Sequence, residues 1–467
     1  MTRYLRAEWA KFRSVPGWVR GTAVAALLIL LFPVTGLGGG PPDQTSPIPI
    51  GPDGTPVSDA YYFVHRALTG DGRITVEVGK LTSLRAGVWA KAGLIVTAGP
   101  EPGARYAAIM VTGGHGVRMQ HDYLYDRAGP PATARWLRLT RSGDTLTGEA
   151  STDGAHWTLV DTVRLPGLSA TVQAGLFVAC PPQVSGLGTA GDVATAEFGS
   201  PQLNGSWPAA SWVGSQVGAA ELSGAFVPSS KGFRVTGAGD LAPATRSDVP
   251  FGIAASDVLF GTFPALIVIV VIATLSITTE YRYGLLRTTL SAGPRRSRVL
   301  LAKAAVLAGV TFATSLVATV LALPLWLRLI RSMGVYLFPA SPGVLLRVAV
   351  GTAAVLAVTA VLALGVGVIL RRSATAVTTV VAATVLPYLI ALTPFVPPSI
   401  AQWVTRVTPA AAFAVQQTLV RYPQVDSVYT PATGYYPLPP WAGLGVLCGY
   451  TLLTLTVAAV LLRRRDV

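Results

Sequence analysis

Charge is scarce in this sequence. Only 12% of its 467 residues are Asp, Glu, Lys or Arg, while 51% are hydrophobic; an ordinary globular domain carries roughly 25% charged residues. With a mean hydropathy of +0.52, that balance argues against an ordinary soluble enzyme. Cysteine is almost absent. Cys180 lies in a polar stretch and Cys448 inside an apolar run, so a disulfide between them would join an aqueous domain to membrane depth, and neither a disulfide framework nor a cysteine metal site is expected. The four histidines, His65, His115, His121 and His156, show no H-E-x-x-H spacing, and no metal site is expected from them. A phosphate-binding G-x-x-x-x-G-K-[ST] loop is missing too: Gly79-Lys80 is followed by Leu81, so ATP hydrolysis is not expected in this chain.

What charge there is has one sign and one distribution. The net charge is +14 and the pI near 10.1, which would ordinarily suggest nucleic acid. Between Gly40 and Ala255, however, 15 Lys+Arg stand against 17 Asp+Glu, so the whole excess sits elsewhere, in short clusters beside apolar runs. That is the positive-inside pattern of a membrane protein and not a phosphate-binding face, and no nucleic-acid partner is expected.

A helix of about 20 apolar residues crosses the hydrocarbon core. Six runs qualify: Trp18 to Leu37, Val258 to Thr278, Ala304 to Leu327, Val348 to Leu370, Ala374 to Leu392 and Trp441 to Leu462, with charges confined to their ends. One set of flanks holds 16 basic residues, among them Arg3, Arg6, Lys11, Arg13 and Arg20, the group from Arg282 to Lys303, Arg371 and Arg372, and Arg463 to Arg465. The opposite short loops hold five: Arg328, Arg331, Arg347, Arg406 and Arg421. The asymmetry places both termini in the cytoplasm of a multi-pass cell-membrane protein. The first run has a basic start like a signal peptide, but Pro33 to Leu37 offers no small-x-small cleavage site, so it is read as an uncleaved anchor.

Between the first two runs lies a long polar segment, expected to be extracytoplasmic. It opens with a Pro/Gly-rich linker at 38–56 and continues as β-structure over 57–200, followed by a juxtamembrane segment at 201–255 and the spans of 256–467. Ile74, Val76 and Val78 alternate with Thr75 and Glu77, and Leu137 and Leu139 with Arg138 and Thr140. Asp71-Gly72, Ser142-Gly143-Asp144 and Asp153-Gly154 supply turn chemistry. Short strands at this spacing predict an all-β sandwich. The fold expected is thus a polytopic α-helical membrane protein of six spans with a sandwich between spans 1 and 2.

Two cytoplasmic stretches stand out. In the first, covering residues 1–37 with its span, Leu5, Trp9 and Phe12 share one helical face with Arg6 and Arg13 turned away, as in a helix lying at the membrane interface and contacting lipid. In the second, residues 279–303, an acidic residue, Glu280, closes a span, a short helical stretch follows, and Arg282, Arg287, Arg295, Arg296 and Arg298 lead to Lys303. Together they resemble the coupling segment of ABC-2-type exporter permeases. Arg6-Ala7-Glu8-Trp9-Ala10-Lys11-Phe12-Arg13-Ser14 is similar to the start of actinobacterial members, and the stretch around Trp403 to Ala410 to their extracellular segment ahead of the last span. The resemblance covers about residues 1–37 and 232–467. It implies a non-enzymatic permease subunit working with a separate ABC ATPase that binds ATP and Mg²⁺, with Glu280 and the following arginines at the coupling surface. It also implies assembly as a homodimer or with a second permease. Spans lacking ionisable groups at depth agree with an energy source outside the bilayer.

In the outer segment, Val88 to Val96, Tyr106 to Met110, Trp136 to Gly143 and Ser151 to Trp157 resemble a concanavalin-like jelly-roll domain over roughly 57–200. Some relatives of that fold bind glycans, which would make Trp89, His115, His156 and Trp157 candidate sugar contacts. The blander expectation is that Trp89, Trp136 and Trp157 fill the core. The alternative function class is accordingly a membrane-anchored glycan-binding or sensor protein that transports nothing.

Overall fold

The computed structural model describes residues 2–32, 48–129, 134–185, 188–220, 222–249, 252–284, 296–393 and 395–464. It separates into two compact units: Thr45–Pro250 with Tyr422–Val428, and the remainder of the chain.

The first unit is a β-sandwich. One sheet runs, in spatial order, Thr158–Arg164, Thr145–Ser151, Trp136–Ser142, Gly72–Ser83, Ala194–Gly199, Gly232–Gly237 and Ala225–Ser229, with Gln202–Gly205 also on the long strand. The other runs Val213–Val217, Tyr61–Thr69, Thr171–Ala179, Lys91–Thr97, Tyr106–Thr112, Val117–His121 and Tyr125–Ala128. Neighbouring strands pair antiparallel. The alternation read from the sequence fixes which side faces in: Ile74, Val76, Val78, Leu137 and Leu139 are buried against Val64, Leu94, Ile109 and Leu176 of the opposite sheet. Hairpin glycines Gly143 (φ +59°) and Gly154 (φ +76°) take the left-handed conformation that their turns require.

The sandwich runs past residue 200. The strands over 202–237 belong to the two main sheets, and Leu241–Pro243 pairs with Val57–Asp59, so the domain extends over 57–243 and the expected juxtamembrane segment is largely part of it. Its later strands, such as Val-Gly-Ser-Gln-Val at 213–217, are short and weakly alternating, which is why their sequence reads as irregular. The segment Tyr422–Val428, far away in sequence, also packs within this unit: Gln424 Nε2 donates to the Leu124 carbonyl at 3.1 Å, and the Ser427 hydroxyl lies 2.9 Å from that of Thr245.

The far face of the seven-stranded sheet buries a second cluster that includes Tyr61, Phe63, Tyr106, Tyr123 and Phe177. Asp59 is sunk beside it, accepting from the Tyr123 hydroxyl at 2.6 Å and the Gly103 N–H at 2.7 Å. Burial pushes its carboxyl up to about 6, against the downward pull of those two donors. A carboxyl raised above its unfolded value stabilises the fold while protonated, and this stabilisation is lost as pH rises from about 4 through about 6. The distance from the ordinary 3.8 to about 6 corresponds to about 3 kcal/mol. Urea unfolding of the sandwich unit followed from pH 4.5 to 7 should show this fall, and Asp59→Asn should flatten it; an unchanged slope in the variant would contradict the assignment.

The second unit is helical. The helices are α1 (Thr2–Ser14), α2 (Pro16–Leu31), α3 (Thr262–Arg282), α4 (Arg296–Ser332), α5 (Pro342–Leu370), α6 (Ser373–Thr384), α7 (Leu386–Leu392), α8 (Pro398–Val407) and α9 (Pro440–Arg464). Among the described residues, five segments are long and apolar enough to cross a membrane: Asp257–Arg282, Arg296–Ser332, Pro342–Leu370, Ser373–Leu392 and Pro440–Arg464. The α1–α2 pair, bent by 80°, adds a sixth if it is one span. Residues 33–37 of the expected first run lie outside the described residues, as do 38–47 of the linker. The bend has a local cause. Pro16 at the first turn of α2 fixes its own φ and excludes the helical region for Val15, which is extended (φ −99°, ψ 101°). Helix α5 is the hub, and its glycines allow close approach within this chain: a Cβ on Gly367 would lie 2.8 Å from Ile277 of α3, and one on Gly365 3.4 Å from Thr454 of α9.

Candidate coupling site

Helix α1 is amphipathic, but its buried stripe is rotated from the expected one. Phe12 is buried, whereas Trp9 is 46% exposed, and Glu8 takes the inner position one turn before Phe12. The rings of Trp9 and Phe12 stack at 6.4 Å, and Phe12 meets Trp18 of α2 at 6.0 Å. Glu8 is turned inward because its counter-charges are there. Lys303, in the second turn of α4 and 5% exposed, reaches Glu8 Oε2 and Glu280 Oε1, each at 2.9 Å. Lys11 closes the array at 3.2 Å from Glu8 and 3.3 Å from Glu280. Lys303 Nζ also donates to the Ser276 carbonyl of α3 at 3.3 Å.

Two carboxylates and two ammonium groups therefore alternate around one point and sum to zero charge, joining α1, α3 and α4. Desolvating four charges is expensive, and alternation with hydrogen bonding is the arrangement that offsets that cost. Glu280 Oε2 is buried with no hydrogen-bond partner among the described residues, so one acceptor of the cluster stays unused.

Of the other residues singled out from the sequence, Arg282 lies beside the Tyr283 ring at 5.9 Å, and Arg298 is exposed. Arg296 donates to the Leu462 carbonyl at 2.7 Å, tying the start of α4 to the end of α9. Arg287 and Arg295 lie outside the described residues. Sequence reading singled out Glu280 and named Lys303 at the opening of the next span, but did not pair them with each other or with Glu8 and Lys11. A signal existed: Glu8 is the only acidic residue of 1–42, Glu280 the only one of 258–425, and Lys303 the only lysine after 231. Arg371, which ends α5 in the left-handed region (φ +57°), stacks on Tyr281 at 4.9 Å and was not singled out for this site.

In the sandwich, the candidate sugar contacts form two separate pairs. Trp89 is 5% exposed and His115 stacks on it at 4.0 Å, with the Arg118 guanidinium at 5.6 Å, so Trp89 offers no open ring face. His156 is exposed and bonded to Asp153 at 2.7 Å, within a turn in which Asp153 also accepts from the N–H groups of Ala155 and His156. Trp157 is capped by the Arg138 guanidinium at 3.6 Å. The 151–157 stretch is thus a hairpin turn organised by Asp153, in keeping with the turn chemistry of Asp153-Gly154.

No protein-family model and no curated protein matches the chain. Among solved structures, it is similar to a functionally unknown protein from Saccharomyces cerevisiae, at 18% identity over 31% of this chain and 75% of that one, with a TM-score of 0.20. It is also similar to a mutant of the GH43 protein BlXynB from Bacillus licheniformis, at 12% identity over 31% of this chain and 28% of that one, with a TM-score of 0.20. Likeness at that level carries no argument about activity.

Proposed function

We propose that this chain is the membrane-spanning subunit of an ATP-driven exporter of the ABC-2 type, working with a separate ATPase subunit. The observation that carries the reading is the Glu8–Lys11–Glu280–Lys303 cluster, in which Glu8, Glu280 and Lys303 are buried and Lys11 is half-buried at the edge. It locks an amphipathic helix to the facing ends of two membrane-length helices, on either side of the stretch that leads from Arg282 to Arg296. A displacement of that stretch by a partner would then be felt by α1, α3 and α4 together, which is what coupling to an outside energy source needs. The absence of a phosphate loop in the sequence agrees with hydrolysis in another chain. In this reading both termini are cytoplasmic, six spans are present, the sandwich is extracytoplasmic, and two permease subunits make the transporter. The jelly-roll likeness of the sandwich belongs to the same proposal.

Purification in mild detergent tests it. An ATPase subunit should co-purify, and tags at positions 1 and 467 should be inaccessible from outside intact cells. A chain that purifies alone, with no stimulated ATPase, would favour the glycan-binding or sensor alternative.

A further inference from the structure

We infer that the elbow between α1 and α2 is a binding site for one anionic phospholipid, with an acyl chain laid between α2 and α3. A groove of about 410 Å³ opens there, running from Val15, Gly17, Trp18 and Gly21 on one side to the stretch Ile267–Leu275 of α3 on the other. Its lining side chains are all apolar but for the indole N–H that Trp18 carries. The groove exists because the two helices splay toward the elbow. At Gly261 a Cβ would come within 2.1 Å of the Leu28 carbonyl, and at Gly21 within 2.8 Å of Ile272, whereas at Gly17 it would meet nothing within 4 Å.

Depth and charge identify the occupant. From Ile267 to Leu275 the helix rises about 12 Å, close to the roughly 15 Å of one hydrocarbon leaflet. The groove therefore matches one acyl chain lying along α3. Its mouth is at the bend, where α1 and α2 carry Arg3, Arg6, Lys11, Arg13 and Arg20 against the single acid Glu8. Glu8 and Lys11 are both committed to the ion cluster, while Arg13 and Arg20 are exposed and stand, in sequence, two residues before the groove-lining Val15 and one before Gly21. An exposed guanidinium one turn into an apolar helix reaches back to the headgroup level, where a phosphate meets it with charge-assisted hydrogen bonds. A zwitterionic lipid presents the same tails without net charge, so the preference is for the anionic headgroup. The inference rests on α2 and α3 lying in a bilayer and is independent of the transport reading.

Trp18 supplies the probe. The full chain would be reconstituted in phosphatidylcholine vesicles containing increasing fractions of tail-brominated phosphatidylglycerol or tail-brominated phosphatidylcholine. The part of the quenching that disappears in Trp18→Phe reports the groove. Half-maximal quenching of that part should need at least about fivefold less brominated phosphatidylglycerol than phosphatidylcholine. Arg13→Gln with Arg20→Gln should bring the ratio to one, and Gly17→Leu, which fills open space without a clash, should remove the saturable part. Equal quenching by both lipids in the unaltered chain would reduce the groove to ordinary lipid annulus and overturn the inference. So would Trp18 shielded from both lipids while Gly17→Cys chains cross-link to each other, since a second copy would then cover the groove.

Discussion

Lys303→Ala should detach α1 from the helical unit. The substitution leaves Glu8 and Glu280, each with a side chain 6% exposed, sharing only Lys11, itself partly exposed. Removing one member of a buried ionic group leaves a charge that neither water nor a partner satisfies, at a cost of about 3–5 kcal/mol. The least costly escape is for α1 to lift away and hydrate Glu8. Trypsin would then cut rapidly after Arg6, Lys11 and Arg13 in detergent-solubilised protein, while the helices of 296–464 stay protected. Lys303→Met combined with Glu280→Met leaves Glu8 and Lys11 as a neutral pair, and most of the protection should return. Lys303→Ala with α1 as resistant as in the unaltered chain would show that the cluster does not hold α1.

The second large effect is expected in the sandwich. Lys91 is fully buried, and its ammonium makes three bonds: to Asp240 Oδ1 at 2.6 Å, to Gln120 Oε1 at 3.2 Å and to the Leu241 carbonyl at 2.9 Å. All three of its protons are therefore used. Asp240 begins the return toward Leu241–Pro243, the short strand that pairs with Val57–Asp59 and closes the domain. Lys91→Ala abandons the Asp240 carboxylate in the interior and should destabilise the sandwich unit by about 3–5 kcal/mol, a large share of the roughly 5–15 kcal/mol typical of a domain. Lys91→Met with Asp240→Leu removes both charges and should recover most of the loss. Urea unfolding followed by proteolysis of the sandwich unit measures both variants; a loss below about 0.5 kcal/mol for Lys91→Ala would place this pair among ordinary surface contacts.

Both clusters show where sequence reading stops. Alternation at Ile74–Val78 and Leu137–Leu139 and the long apolar runs are local patterns, so the sandwich and the membrane-length helices were legible from hydropathy alone. Lys91 and Asp240 are 149 residues apart, and Lys11 and Glu280 269 apart; pairings of that kind are set by topology, and no periodicity within α1 signals that Glu8 must face inward. An acid next to Trp9 reads as a solvent position until Lys303 is seen opposite it. The strands after residue 200 and the return of Tyr422–Val428 to the sandwich unit were hidden for the same reason, since their short, weakly patterned sequences join the unit through partners distant in the chain, as Val213–Val217 does on Tyr61–Thr69 and Gln202–Gly205 on Gly72–Ser83.

The central claim is that the cluster transmits the action of an ATPase. It is tested most directly by ATP hydrolysis in the reconstituted complex of this chain with the ATPase subunit proposed as its partner. The comparison is between the unaltered chain and the charge-neutral pair Lys303→Met with Glu280→Met, which keeps α1 in place. The account predicts a transport-linked rate lowered about threefold or more, within the range over which single positions alter coupling, with expression, membrane insertion and tryptic protection of α1 retained. Full coupled activity in that variant would contradict it and leave the cluster as a structural clamp alone.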